Sequence, residues 1–253
     1  MQINGLAAIV TGGGSGLGAA TAAHLASLGA RVAVVDINQA AAEAQAARIG
    51  GIGIACDVAD PAAAEAAFAA AHAKHGPVRV LVNCAGVGTP GRVVGRDGPL
   101  KLEAFERVIR INLIGSFNML RLAAAEMSAA DPLEENERGV IVNTASVASY
   151  EGQIGQPAYA ASKAGVVGMT LPAARELARA GVRVVAIAPG LFSTPMVEAL
   201  PEEAQRSLGA SIPFPPRLGR PPEYAALVAH IVENRFLNGE TIRLDGALRM
   251  APR

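Results

Sequence analysis

Tyr159 and Lys163 stand four residues apart, Ser146 lies thirteen residues before the tyrosine, and the run Thr11-Gly-Gly-Gly-Ser-Gly-Leu-Gly18 sits close to the N-terminus. On a helix, positions i and i+4 share a face, so a phenol and an ammonium would be one turn apart. A free tyrosine titrates near 10, and work as a base at neutral pH requires a lowering worth about 4 kcal/mol. A neighbouring cation such as Lys163 stabilises the phenolate and supplies part of this. Ser146, at the end of a predicted strand, can hydrogen-bond a substrate oxygen and aim it at the phenol. Taken alone, the Tyr-x-x-x-Lys spacing equally describes a surface aromatic with a solvated neighbour.

The glycine run supplies a context. Gly12, Gly16 and Gly18 lie between an apolar strand and an Ala-rich helix, with Ser15 and Leu17 in the same turn. Glycine allows a tight turn and lets backbone N–H groups and a helix N-terminus approach a pyrophosphate. The looser Gly-x-Gly-x-x-Ala pattern fits at Gly14, Gly16 and Ala19, so the spacing leaves open which glycines act. Asp36 follows Gly18 by 18 residues and ends the second strand. There an acid accepts hydrogen bonds from adenosine ribose hydroxyls, although it could also cap the next helix. A 2′-phosphate about 4 Å away would be repelled by about 4 kcal/mol per unit charge pair. Ser15 and Ile37 provide no compensating cation, so NAD(H) is favoured over NADP(H). The oxidised nicotinamide would add positive charge near Tyr159 and carry the hydride chemistry. These features describe a nicotinamide-dependent oxidoreductase that interconverts an alcohol and a ketone.

Positioning them requires an alternating α/β chain. Strands are predicted near Leu6–Thr11, Arg31–Val35, Ile52–Cys56, Val80–Asn83, Val140–Thr144, Val182–Ala188 and Thr241–Leu244. Helices are predicted near Gly16–Leu28, Gln39–Ile49, Pro61–His75, Leu102–Met127, Pro157–Ala180 and Pro222–Glu233. Apolar strands separated by helices imply a doubly wound, seven-stranded parallel sheet covered by helices on both faces. No repeat or linker divides residues 1–253, so one domain is expected. Long loops at Val87–Lys101 and Leu191–Arg220 follow predicted strand C-termini, where open α/β sheets bind ligands. Ser128–Arg138 reads as a polar surface excursion. Pro172 falls inside the Tyr159 helix and should kink it or free a carbonyl.

Bulk properties narrow the function classes. Of 253 residues, 51% are hydrophobic and 17% charged, which describes a globular chain. Lys plus Arg balances Asp plus Glu at 22 each, leaving no net field for nucleic acid or an anionic membrane. No uncharged apolar stretch of about 18 residues appears, so no membrane span is expected, and without a recognisable leader a cytoplasmic location is expected. Cys56 and Cys84 lack metal-ligand spacing and are expected as buried thiols. His24, His72, His75 and His230 fall in helical stretches without triad or metal spacing.

Thr11–Gly18, Asn83-Cys-Ala-Gly86, Asn112, Ser146, Tyr159, Lys163 and Pro189-Gly190 together resemble the short-chain dehydrogenase/reductase family across nearly the whole chain. That resemblance implies a Rossmann fold and a catalytic set of Asn112, Ser146, Tyr159 and Lys163. Asn112 would help hold a water next to Lys163, which would also contact the nicotinamide ribose. It further implies that Asp57 and Val58 flank the adenine, and that Asn83, Ala85 and Gly86 support the cofactor channel. Pro189 and Gly190 belong to the same implied cofactor site, and Thr194 would bond the carboxamide. Cys84 stands where the family more often has Asn, which costs some hydrogen bonding.

Longer stretches carry a narrower resemblance. Gly139–Ala148, Gly165–Pro172, Ala188–Pro195, Ile212–Gly219 and Phe236–Gly246 are similar to the type-2 3-hydroxyacyl-CoA dehydrogenase group, also described as multifunctional hydroxysteroid dehydrogenases. The implied reaction is reversible oxidation of an L-3-hydroxyacyl-CoA with NAD⁺, and the implied assembly a homotetramer. Gln156, Leu191 and Phe192 are candidates for the acyl site, and Gln156 can bond a thioester carbonyl. Arg92, Arg96 and Lys101 are available to CoA phosphates, or are ordinary solvated loop charges. A steroid substrate, a 3-oxoacyl-carrier-protein reductase and a non-catalytic scaffold role in RNA processing stay open; Asp36 argues against the second, and the intact Asn-Ser-Tyr-Lys set against the third.

Overall fold

A computed structural model describes residues 1–252. Strand β1 (Ala7–Thr11), helix α1 (Gly16–Ser27), β2 (Arg31–Asp36), α2 (Gln39–Ile49), β3 (Ile52–Ala55), α3 (Pro61–His75) and β4 (Val78–Asn83) form the first half. A small antiparallel hairpin follows, β5 (Val94–Gly95) with β6 (Gly98–Pro99). Next come α4 (Leu102–Ile109), a π-helical turn over Arg110–Ile114, α5 (Gly115–Ala129) and β7 (Gly139–Thr144). The remainder is α6 (Pro157–Leu177), β8 (Val182–Pro189), the short α7 (Pro195–Glu198), α8 (Glu202–Ala210), α9 (Pro221–Glu233) and β9 (Thr241–Leu244).

The seven main strands pair in the order β3-β2-β1-β4-β7-β8-β9, all parallel. This is the doubly wound Rossmann-type sheet expected from the sequence. β1, β4, β7 and β8 are buried throughout because both faces are covered. Alternate residues point to opposite faces. Val10, Val34, Val82 and Val142 meet α1, α2 and α9 through Leu25, Ala42, Tyr224 and Val228. Ile9, Leu81, Ile141 and Val184 meet α3, α5 and α6 through Phe68, Met119 and Ala174. Each large aliphatic side chain fully buried this way contributes about 1.5–3 kcal/mol.

Register brings the chemistry to one edge. Thr11 pairs with Asn83, and Asn83 with Asn143, so the strand C-termini end in adjacent rows below the loops. Helix α6 runs unbroken through Pro172. The missing N–H would have bonded the carbonyl of Gly168, an exposed residue whose backbone solvent can reach. By length and composition alone the 28-residue helix Leu102–Ala129 could cross a membrane, although Glu103, Glu106, Arg107, Arg110, Arg121 and Glu126 interrupt its apolar residues. In this fold one face of it is buried, with Met119, Leu120, Ala123 and Met127 packed into the core, while Leu102, Ile114 and Phe117 stay exposed.

The predicted loops contain more structure than expected. Hairpin β5–β6 occupies Val87–Lys101, and Gly91 N donates to Gly155 O at 2.7 Å, tying it to the segment before α6. Helices α7 and α8 fill Leu191–Arg220. That loop is closed at its base, where Gly219 N donates to Leu191 O and Ser193 N to Gly219 O, both at 2.8 Å.

Candidate active site

The glycine turn is built by close backbone approach. Gly12 has φ +61°, and a Cβ there would lie 2.8 Å from Ala85 N. A Cβ on Gly18 would collide with the carbonyl of Gly12. Both contacts need glycine, which lets α1 start directly beneath the end of β4. Ser15 caps α1 without a side-chain bond, and no acidic residue occupies the first turn. The first-turn N–H groups are thus neither capped by a side chain nor shielded by a carboxylate, which suits a pyrophosphate. Thr194 and Pro195 overlie Gly16, with Thr194 Cβ 3.7 Å from where a Cβ would stand.

Asp36 is joined to this turn. Its Oδ2 accepts from Gly14 N at 3.0 Å and its Oδ1 from Asn38 N at 3.0 Å. The helix cap that Asp36 might have provided belongs to Asn38, whose side chain accepts from Ala41 N. Asp57 Oδ1 accepts from Ala59 N at 2.9 Å, and Val58 is buried beside it. Asn83 is buried and bonds Ser116 O at 3.1 Å and Asn143 Oδ1 at 2.9 Å. Thr11 Oγ1 accepts from both Cys84 N and Ala85 N at 3.1 Å. Asn83 therefore braces the strand ends from below, whereas Gly86 is exposed. Gly190 follows β8 and lies against Asp245, close enough that a Cβ would lie 2.8 Å from the Asp245 Cβ.

Ser146 lies just past β7 and Tyr159 in the first turn of α6, and the two hydroxyls are neighbours. Ser146 Oγ accepts from Ala148 N at 3.1 Å, which leaves its O–H free to donate. Lys163 is buried, donates from Nζ to Thr144 O at 2.7 Å, and lies 5.9 Å from the Tyr159 ring centroid. Burial pushes the Lys163 ammonium down to about 8. Desolvation also pushes the Tyr159 phenol up, with Ser146 acting in the opposite direction. The sequence asks for a phenol lowered by Lys163; in the structure burial of Tyr159 raises it, and Ser146 is the group that acts against that rise.

Asn112 sits in the π-helical turn and is fully buried. Its Oδ1 accepts from Val87 N at 2.8 Å, and its Nδ2 donates to Val87 O at 2.9 Å and Ser162 Oγ at 3.0 Å. Leu113 in the same turn packs on Gly165, where a Cβ would approach its side chain to 2.7 Å. A Cβ at Gly86 would stand 3.1 Å from Asn112 Oδ1 and 3.6 Å from Lys163 Nζ. Gly86, Asn112 and Lys163 thus share one corner. A π turn inside an α-helix frequently marks a functional site.

The proposed acyl residues divide. Gln156 Oε1 accepts from Gln153 N at 3.1 Å, which leaves Nε2 as the donor a carbonyl would need. Leu191 is half-buried at the loop base. Phe192 corrects the expectation of an acyl-lining ring. It is 6% exposed, meets Tyr224 edge-on with centroids 6.4 Å apart, and packs under Gly219. Its side chain belongs to the core. Cys84 also differs from expectation, being half-buried rather than buried; its sulfur lies near the hydroxyls of Thr144 and Tyr224, a grouping no sequence spacing signalled.

Residues 6–205 match the family described as short chain dehydrogenase. The chain belongs to that family. Human 3-hydroxyacyl-CoA dehydrogenase type-2 is 50% identical over 255 residues, covering 99% of this chain and 98% of its own. The Drosophila melanogaster 3-hydroxyacyl-CoA dehydrogenase type-2 is also 50% identical, covering 99% and 100%. The crystal structure of 3-hydroxyacyl-CoA dehydrogenase type-2 from Mycobacterium avium superimposes with a TM-score of 0.94 at 45% identity, covering 98% of both chains. Membership in the short chain dehydrogenases implies a nicotinamide cofactor and a small-molecule substrate. The bare glycine turn, with Asp36 beside it, fits such a cofactor.

Proposed function

We propose that this chain is a 3-hydroxyacyl-CoA dehydrogenase of the type-2 kind, oxidising an L-3-hydroxyacyl-CoA reversibly to the 3-oxoacyl-CoA with NAD⁺. The observation that carries this reading is identity of about half the residues with such dehydrogenases along the entire chain. It is supported by the placement of Ser146, Tyr159 and Lys163 at one cleft beside the glycine turn.

In this reading Gly12, Gly16 and Gly18 admit the pyrophosphate, Asp36 receives the ribose hydroxyls, and Thr194 faces the glycine turn from the opposite loop. A bound nicotinamide supplies hydride exchange at the substrate carbon and, when oxidised, a positive charge. Ser146 Oγ–H holds the substrate oxygen. Tyr159 Oη takes the hydroxyl proton in oxidation and returns it to the carbonyl oxygen in reduction. Lys163 Nζ, anchored on Thr144 O, keeps a positive charge behind the phenol. Asn112 holds the π turn that forms the wall beside Lys163, and Gln156 Nε2 is placed to meet a thioester carbonyl. Arg92, Arg96 and Lys101 are exposed on the Val87–Lys101 loop and can meet CoA phosphates. A homotetramer forms part of the proposal, supported by Leu102, Ile114 and Phe117, which leave apolar side chains exposed along the α4–α5 helix.

Asp36 favours NADH and argues against an NADPH-linked 3-oxoacyl-carrier-protein reductase. The deciding experiment follows NADH oxidation with acetoacetyl-CoA, with NADPH and a ketosteroid in parallel. Fast, NADH-selective turnover of the CoA ester is expected. Turnover of the steroid without the thioester would replace the substrate, and silence on both would overturn the proposal.

A further inference from the structure

Thr144 closes β7, and its two oxygens serve different partners. The carbonyl accepts from Lys163 Nζ at 2.7 Å. The hydroxyl lies 2.7 Å from Tyr224 Oη and 3.6 Å from Cys84 Sγ. Cys84 Sγ in turn lies 3.9 Å from Tyr224 Oη. Three donors and three acceptors close a ring: Tyr224 O–H to Thr144 Oγ1, Thr144 O–H to Cys84 Sγ, and Cys84 S–H to Tyr224 Oη. Burial pushes the Tyr224 phenol well up and raises the Cys84 thiol, so the ring stays protonated and neutral at working pH.

Resting on the reading of Tyr159 and Lys163 as the proton-handling pair, we propose that Tyr224 is a positioning residue for Lys163. Through Thr144 it fixes the carbonyl that holds the ammonium beside Tyr159. Tyr224 is wholly buried on α9, and a phenylalanine would fill the same space, so its hydroxyl has this ring as its task. The groups facing Lys163 are Tyr159 on its own helix, Cys84 from the end of β4, and Asn112 across Gly86. Among the described residues no carboxylate pairs with it, and its hydrogen bond runs to the Thr144 carbonyl at 2.7 Å. The same end of α9 also anchors the Leu191–Arg220 loop. Glu223 binds Arg217 at 2.6 Å and Arg220 N at 2.7 Å, and Phe192 rests edge-on against Tyr224. Loop base and lysine therefore share one support.

The test reads Lys163 directly. Lys74, Lys101 and Lys163 are the chain's three lysines, so lysine labelled with ¹³C gives few signals, and Lys163→Met assigns the buried one. Lys163 is expected to titrate near 8 in the wild-type protein. Tyr224→Phe should lower that midpoint by about half a unit or more, because a less well-aimed carbonyl stabilises the ammonium less. Thr144→Val, isosteric and without the hydroxyl, should do the same and serves if Tyr224→Phe fails to fold. Thr144→Ser should restore the midpoint, and the Tyr224→Phe/Thr144→Val pair should shift it no further than either alone. In turnover at pH 7, Tyr224→Phe should lose about five- to tenfold in kcat with KM nearly unchanged. An unmoved Lys163 midpoint in the folded variants, or additive shifts in the double variant, overturns the proposal. The titration needs no substrate, so failure of hydroxyacyl-CoA turnover would count against the functional reading separately.

Discussion

Asn112 pairs its side-chain amide with both backbone groups of Val87, accepting from Val87 N at 2.8 Å and donating to Val87 O at 2.9 Å. A helix residue thereby completes the hydrogen bonding of the loop that leaves β4. The π turn is what brings its amide there, because the extra residue per turn rotates the side chain relative to a regular helix.

Replacing Asn112 with Ala should therefore cost stability as well as activity. It leaves the half-buried Val87 backbone and the buried Ser162 without their partner, worth about 2–4 kcal/mol in total. Urea denaturation checks this. Unchanged stability would mean that solvent reaches Val87 freely and that the amide is not a structural brace.

Tyr159→Phe tests the chemistry with little change in shape. Turnover should fall by about a hundredfold or more, while NADH binding measured by fluorescence stays close to wild type. Near-normal turnover would remove the phenol from the mechanism.

Much of this was legible in the sequence, for reasons that differ by element. The seven main strands are short and mostly apolar, and Thr241–Leu244, Gln39–Ile49 and Pro61–His75 lie where the sequence puts them, the last two helices with Asn38 and Asp60 as caps. Hairpin β5–β6 has two residues per strand, too few for any period to show. Helices α7 and α8 were hidden in a loop whose five prolines suggest irregular chain. The π turn at Asn112 carries Leu113 onto Gly165, a contact between distant segments that no local pattern encodes. Phe192 misled because it adjoins residues of the cleft, yet the edge-on contact with Tyr224, 32 positions later, turns its ring inward. The raised phenol of Tyr159 depends on burial, which i,i+4 spacing does not report.

Asp36→Ala should relax the coenzyme preference. Removing the carboxylate lifts a repulsion of up to about 4 kcal/mol toward a 2′-phosphate, so the NADH/NADPH ratio of kcat/KM should fall by about tenfold or more. Gly14 N also loses its acceptor, so some loss with NADH itself is expected. An unchanged ratio would place selectivity elsewhere.

Lys163 makes a prediction about stability that runs in a definite direction with pH. Its folded pKa, about 8, lies below the ordinary 10.5. Between those values the unfolded chain binds more protons than the folded one, so this residue makes stability rise with pH across that window. Below about pH 8 both states are protonated, and the full cost of the buried ammonium is present. Lys163→Met abolishes that contribution, while the groups common to both proteins cancel in the comparison. The stability of wild type relative to Lys163→Met should therefore improve by about 1–3 kcal/mol between pH 7.5 and 10. Urea unfolding across that range measures it. A difference that stays flat would show that the ammonium is better solvated than its burial implies, and one that worsens with pH would mean that Thr144 O stabilises the charge beyond its desolvation cost.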